Sequence, residues 1–269
     1  MNDRTDTFAL ITGASSGIGA IYADRLARRG HDLILVARRA EALNTLAAKI
    51  RAETGRTVEV LVADLESAAD LARVEAVLRD DPRIGVLVNN AGVGATSPLL
   101  ETNVDKMSQL ITLNVTALTR LTYAAAPAFV ARGRGTIVNI ASVVAIYPEL
   151  LNGVYGASKA FVLALSQSLH RELADKGVRV QTVLPGATAT EFWDVAGTPV
   201  TDLPAEIVMS ADDLVDAALV GLDAGELVTI PPLHDGASWD AYEAARQVMA
   251  PNLSSAHVAG RYRPTRAAA

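Results

Sequence analysis

Seven short runs of aliphatic and β-branched residues, spaced by longer stretches of helical periodicity, constrain the fold of this 269-residue chain more than any other feature. They are FALIT (8–12), DLILVA (32–37), VEVLVAD (58–64), VLVNNA (86–91), GTIVNIAS (135–142), VRVQTVLPG (178–186) and LVTI (227–230). The runs are continuously apolar rather than alternating, as expected of strands covered on both faces. Helical patterns fall near 17–29, 40–53, 66–79, 103–131, 155–175 and 210–223. Repeated βα units predict a parallel sheet with right-handed crossovers. The expected architecture is therefore α/β: one doubly wound domain of about seven strands with helices on both faces, over 1–269. A C-terminal extension would follow over 231–269, with RYRPTRAAA as a loose end. Residues 186–210, GATATEFWDVAGTPVTDLPAEIVMS, break the rhythm just after a strand end. Ligands of open α/β sheets bind there, so this segment reads as a lid.

Half of the residues are hydrophobic and a fifth are charged, enough for one sizeable core. The net charge of −6 argues against a nucleic-acid or anionic-membrane surface. There is no cysteine, which excludes disulfides and thiolate chemistry. His31, His170, His234 and His257 lack ligand spacing, so no metal site is expected. The polar N-terminus has no signal-peptide core, and no apolar run reaches the roughly 18 residues of a membrane span. A cytoplasmic protein is the expectation.

The first strand leads into TGASSGIG, which sets Gly13, Gly17 and Gly19 between strand and helix with Ser15, Ser16 and Ile18 among them. Glycines there permit a tight turn and close approach to a pyrophosphate, and the helix N-terminus offers unpaired N–H groups. No P-loop Lys-Ser/Thr follows, which disfavours an NTPase. The second strand ends at Ala37 followed by Arg38 and Arg39, where an NAD-selective fold places a carboxylate. A guanidinium pairs with a 2′-phosphate, so NADP(H) is preferred over NAD(H), which stays possible, and Arg38 is favoured as the first basic residue. Asp64 either accepts from the adenine amino group or caps a helix starting at Leu65.

Tyr155 and Lys159 sit four apart among Gly156, Ala157, Ser158 and Ala160. They share one helix face, small neighbours leave room for a ligand, and an ammonium near a phenol lowers the phenol pKa from about 10. Tyr155 is then a candidate proton donor and acceptor.

In their order, TGASSGIG (12–19), NNAG (89–92), Asn114, Ser142, YGASK (155–159) and PGATAT (185–190) resemble the short-chain dehydrogenase/reductase family in its short single-domain branch, over roughly 7–190. The resemblance implies a Rossmann-type doubly wound parallel sheet of about seven strands, with a cofactor-binding part over about 7–150 and a catalytic and substrate part over about 135–230. It also implies hydride transfer between NAD(P) and a carbonyl or alcohol, with a catalytic set of Asn114, Ser142, Tyr155 and Lys159. Ser142 would orient the substrate oxygen. Asn114 would hold a water relaying protons to Lys159, or else make a helix-to-strand hydrogen bond. Tyr155 and Lys159 would also meet the cofactor, with Lys159 on the nicotinamide ribose. Asn89 would support the central strand, while Asn90, Ala91 and Gly92 form the cofactor floor. Pro185 and Gly186 would turn the chain, and Thr188 and Thr190 approach the nicotinamide. Ser142, Val144, Tyr147, Leu151, Tyr155, Phe192 and Trp193 would line the substrate site, with Trp193 as its cover. The tail departs from the short DGG-like ending of many relatives. A homo-oligomer, dimer or tetramer, through the helices over 103–131 and 155–175 is expected.

The function expected is NADP(H)-dependent interconversion of a small-molecule ketone or aldehyde and an alcohol. A nucleotide-sugar epimerase or dehydratase, or a dinucleotide-binding redox sensor without turnover, are the alternatives.

Overall fold

The computed structural model describes residues 7–263; the last six residues of the RYRPTRAAA segment lie outside them. The apolar runs form β1 (Phe8–Thr12), β2 (Asp32–Ala37), β3 (Val58–Val62), β4 (Ile84–Asn89), β5 (Gly135–Ile140) and β6 (Val178–Val183). A two-strand ribbon, β7 (Thr188–Ala189) with β8 (Met209–Ser210), precedes β9 (Val228–Thr229), which completes the main sheet. That sheet has seven strands in the order β3-β2-β1-β4-β5-β6-β9, all parallel.

Successive residues of β1 feed opposite cores, which is why its run is continuously apolar. Ala9 and Ile11 pack with α1 (Gly17–Arg28), α2 (Ala40–Thr54) and α8 (Ala211–Ala224). Phe8 and Leu10 pack on the other face, with α3 (Ala68–Asp80), α5 (Leu118–Ala131) and α6 (Gly153–Leu173). Between the cores and the strand ends lie α4 (Val104–Ile111) and the short α7 (Phe192–Ala196).

Three boundaries differ from the periodicity. The helix expected at 66 starts at Ala68, because the Ser67 hydroxyl accepts from Asp70 N (3.4 Å) and caps it there. This excludes Asp64 as the cap of a helix starting at Leu65. The single helix expected over 103–131 is α4 and α5 joined by a π-helical turn at Thr112–Ala117. The helix carrying Tyr155 begins at Gly153, since the Asn152 side chain accepts from Val154 N (2.9 Å) and Tyr155 N (3.4 Å).

The chain divides into two compact units, Met1–Pro232 and Leu233–Ala269, beside the expected start of the extension. The second unit contains α9 (Gly236–Met249), which the periodicity does not announce. Asp235 caps it by accepting from Ala237 N (3.0 Å), and Trp239 stacks on Tyr242 at 5.3 Å. Among the described residues no helix is long and apolar enough to cross a membrane.

A buried polar ladder crosses the second core and ties α6 to the sheet. Asn89 Nδ2 donates to Thr122 Oγ1 (3.1 Å) and to Asn139 Oδ1 (2.9 Å), and Asn139 Nδ2 donates to Ser166 Oγ (2.9 Å). The four residues thus link α5, β4, β5 and α6, all inaccessible to solvent. Unmade polar groups in such a place are costly. Asn139→Ala strips Asn89 and Ser166 of one partner each and should cost about 1–3 kcal/mol. The measurement is urea unfolding; a loss below about 0.5 kcal/mol, the range of an ordinary surface change, would show that the ladder does not hold α6 in place.

Candidate active site

The chain leaves β1 toward β2 and β3, then returns to place β4 at the other side of β1. This reversal of strand order opens a crevice beyond the carboxyl ends of β1 and β4. The glycine turn lies in it. Gly13 (φ +65°) and Gly17 (φ +53°) occupy left-handed backbone that other residues seldom adopt. A Cβ on Gly13 would stand 2.8 Å from Asn90 Nδ2 and 2.9 Å from Ala91 Cα, and one on Gly19 would run into the Gly13 carbonyl. The turn is fastened to β4 by Thr12, whose hydroxyl accepts from Asn90 N and Ala91 N (both 3.0 Å). Asn90 Nδ2 answers by donating to Thr12 O (2.9 Å) and Gly13 O (3.2 Å). Ser16 stands at the N-cap of α1 with no side-chain capping bond, and the first turn has no acidic residue. Ile18 turns away into the first core.

At the end of β2 the two arginines diverge. Arg38 stands 3.8 Å from Glu66, more than half exposed. Arg39 donates to Ser15 Oγ (3.3 Å) and Ser15 O (3.4 Å) and pairs with Glu191 (2.9 Å). The Asp64 carboxylate accepts from Glu66 N (3.1 Å) in a local turn.

Across the crevice, α6 presents Tyr155 and Lys159, both buried. Lys159 Nζ donates to Ile140 O (2.9 Å) at the end of β5 and stands 5.9 Å from the Tyr155 ring centre. Ser142, two residues beyond β5, accepts from Val144 N (3.3 Å) and donates to Pro185 O (3.4 Å). Asn114 lies in the π-helical turn, a feature that often marks functional sites. Its Oδ1 accepts from Val93 N and its Nδ2 donates to Val93 O (both 2.9 Å) and to Ser158 Oγ (3.3 Å). The helix-to-strand-end hydrogen bond left open by the sequence is therefore present. A Cβ on Gly92 would crowd Asn114 Oδ1 at 3.0 Å and come into ordinary contact with Lys159 Nζ at 3.6 Å.

Burial dominates the electrostatics. It pushes the Tyr155 phenol up to about 12, with the Ser142 hydroxyl offsetting part of the rise. It pulls the Lys159 ammonium down to about 8. This corrects the expectation that Lys159 lowers the phenol. Both groups lose their hydration together, and the ammonium is directed at the Ile140 carbonyl.

The segment after β6 is pinned at its base by the β7–β8 ribbon and by Met209 N donating to Ala187 O (2.9 Å). Thr188 Oγ1 donates to Gly186 O (3.1 Å), and Thr190 Oγ1 accepts from Phe192 N (3.4 Å), while the Thr190 methyl faces Gly17. Phe192, not Trp193, reaches the Tyr155 phenol, at 5.8 Å between ring centres. Trp193 is buried, meets Phe192 edge-on at 5.6 Å, and donates its indole N–H to Thr188 O (2.9 Å). Val144, Leu151 and Phe192 gather with Tyr155 into one apolar cluster, and Tyr147 is 57% exposed. Ala95, Leu110 and Met107 join that cluster without any motif to announce them. Asn152 was detectable as a helix-capping residue type before GVYGASK.

The sequence profile described as short chain dehydrogenase matches residues 7–199. The chain belongs to the short-chain dehydrogenase/reductase family. As a member it is an NAD(P)-dependent oxidoreductase. It is similar to a short-chain dehydrogenase from Sphingobium yanoikuyae solved in complex with NADPH. That match has 56% identity and a TM-score of 0.93, covering 96% of this chain and 100% of the other. A bulky-bulky ketone specific alcohol dehydrogenase from Comamonas testosteroni is 50% identical with a TM-score of 0.89, over 96% and 99% of the two chains. Among curated relatives, a very-long-chain 3-oxoacyl-CoA reductase of Anas platyrhynchos is 37% identical over 70% of this chain, which spans 62% of that relative's length.

The residues fit a dinucleotide: a left-handed glycine turn, a helix N-terminus free of acidic side chains, and two arginines at the end of β2.

The buried pair also gives folding stability two opposite pH slopes. Lys159 releases its proton near 8 in the fold against a usual 10.5. Between those values the unfolded chain holds the extra proton, so this group makes stability rise with pH. Tyr155 moves from 10.0 to about 12, so between those values it makes stability fall with rising pH. Lys159→Met removes the first slope. Measured by urea unfolding, the stability difference should favour methionine most below pH 8 and shift toward lysine as pH approaches 10.5. A difference independent of pH would contradict the depressed value.

Proposed function

We propose that this protein interconverts a ketone or aldehyde and the corresponding alcohol with NADP(H), using Tyr155 as proton donor. The observation that carries the reading is the buried Tyr155 phenol, with Ser142 beside it, Lys159 one helical turn away and Phe192 against its ring. NADPH, when bound, supplies the hydride that the carbonyl carbon receives and leaves as NADP⁺. Gly13, Gly17, Gly19 and the α1 N-terminus hold the pyrophosphate, and Arg38 and Arg39 receive the 2′-phosphate. Ser142 donates to the substrate oxygen and stabilises the charge developing there. As the carbonyl π bond breaks, Tyr155 transfers its proton to that oxygen. Burial keeps the phenol protonated at neutral pH, which suits an acid in the reductive direction. Lys159 returns a proton to the phenolate and is refilled from solvent through a water held at Asn114. Oxidation runs the same steps backwards.

The apolar cluster of Ala95, Leu110, Val144, Leu151 and Phe192 around Tyr155 supports a bulky, weakly polar carbonyl substrate. Relatives named for bulky ketones, for a very-long-chain 3-oxoacyl-CoA and for a 17-beta-hydroxysteroid (human type 3, 35% identical over 79% of this chain) support the same class. Exposed Ile111, Tyr123 and Phe161, on α4, α5 and α6, support pairing with a second copy through these helices.

Tyr155→Phe keeps the ring contact with Phe192 and removes the exchangeable proton. It should lower kcat on the order of 10²–10⁴-fold while NADPH binding, followed by fluorescence, stays unchanged; near-normal turnover would end the assignment. Phe192→Ala should reorder the kcat/KM ranking of a ketone panel, because Phe192 forms the wall against Tyr155. Trp193→Ala should instead lower the melting temperature, because it removes a buried anchor and its bond to Thr188. The reverse pattern would restore Trp193 as the cover.

A further inference from the structure

Arg39 bridges three segments that chain order keeps apart. Its Nε donates to Ser15 Oγ at 3.3 Å, and its terminal nitrogen donates to the Ser15 carbonyl at 3.4 Å and to the Glu191 carboxylate at 2.9 Å. Ser15 belongs to the glycine turn, Arg39 caps the start of α2, and Glu191 lies between Thr190 and Phe192 in the lid. The ion pair joins residues 152 positions apart. Arg38 takes no part in it and stands beside Glu66.

One guanidinium cannot serve two anions fully. A phosphate monoester carries about −1.5 to −2 charges near neutrality and offers three acceptor oxygens, against one charge on a carboxylate. A carboxylate held at the same guanidinium also repels the incoming phosphate. Both partners are more than half exposed, so the ion pair is weak enough to exchange. A ribose 2′-hydroxyl has neither the charge nor the acceptors to displace it.

Resting on the NADP(H) reading above, we propose that Glu191 is a specificity-determining residue that competes with the cofactor's 2′-phosphate for Arg39. An adenosine 2′-phosphate releases the lid at Glu191, whereas a 2′-hydroxyl leaves the latch closed. Phe192, the next residue, carries that difference to the wall beside Tyr155. The two cofactors therefore leave the substrate wall in two different states.

Two probes that lack nicotinamide isolate the latch: adenosine 2′,5′-bisphosphate and 5′-AMP. Calorimetry at low salt on the full chain should show that Glu191→Gln tightens the bisphosphate about two- to fivefold and leaves 5′-AMP unchanged. Arg39→Gln should abolish that gain, and Arg38→Gln should preserve it. The second readout is Trp193 emission with the other tryptophan removed by Trp239→Phe. The bisphosphate, and not 5′-AMP, should change it, and Glu191→Gln should erase the difference. Equal effects on both probes, no effect on either, or a gain that depends on Arg38 would each overturn the proposal. If the unsubstituted protein prefers the bisphosphate but Glu191→Gln changes nothing, the latch alone falls. If it binds 5′-AMP as tightly as the bisphosphate, the NADP(H) reading falls with it.

Discussion

The joint between β1 and β4 is the constraint on which the rest depends. Thr12 and Gly13 share four hydrogen bonds with Asn90 and Ala91 there, and the glycine turn can lie against Asn90 and Ala91 only because Gly13 and Gly19 have no side chain. The joint sits where strand order reverses, so closing it also opens the crevice. Gly92 is two residues beyond Asn90, and the adjacent Val93 carries both hydrogen bonds to Asn114.

The geometry of the candidate site rests on a second constraint, the placement of α6. The ladder of Thr122, Asn89, Asn139 and Ser166 holds that helix against β5 from within the core. Asn152 fixes where it begins. Lys159 then reaches the Ile140 carbonyl, and Tyr155 comes under Phe192. Solvent is excluded from both titratable groups, so the phenol is a protonated acid and the ammonium holds its proton loosely. Those are the states that a reduction followed by reprotonation requires.

The segment between the β7 and β8 ribbon strands joins the two ends of the crevice. Thr190 faces Gly17 and Glu191 pairs with Arg39 on the adenosine side, while Phe192 faces Tyr155 on the chemical side. Three consecutive residues thus touch the glycine turn, Arg39 and the Tyr155 ring. Trp193 anchors them from beneath through Thr188.

Much of this was legible in one dimension because the physics is local or periodic. Seven buried parallel strands must be apolar on both faces, so their runs stand out, and TGASSGIG, NNAG and YGASK each combine residue types whose backbone freedom or chemistry serves one purpose. The start of α3 was misplaced by two residues because Asp64 and Ser67 are both capping residue types, and only the fold shows that Ser67 accepts from Asp70 N. The π-helical turn at Asn114 was hidden, since an added residue per turn leaves the apolar pattern of 103–131 almost unaltered. The helix α9 has no buried residue, and without burial there is no apolar face to read. The sequence by itself determined the strand number, the parallel sheet and the residue types of the candidate site. Tertiary structure alone decided which aromatic faces Tyr155, which arginine meets the phosphate turn, and which way the phenol titrates. Those outcomes depend on groups far apart in the chain, and on how completely their neighbours exclude water.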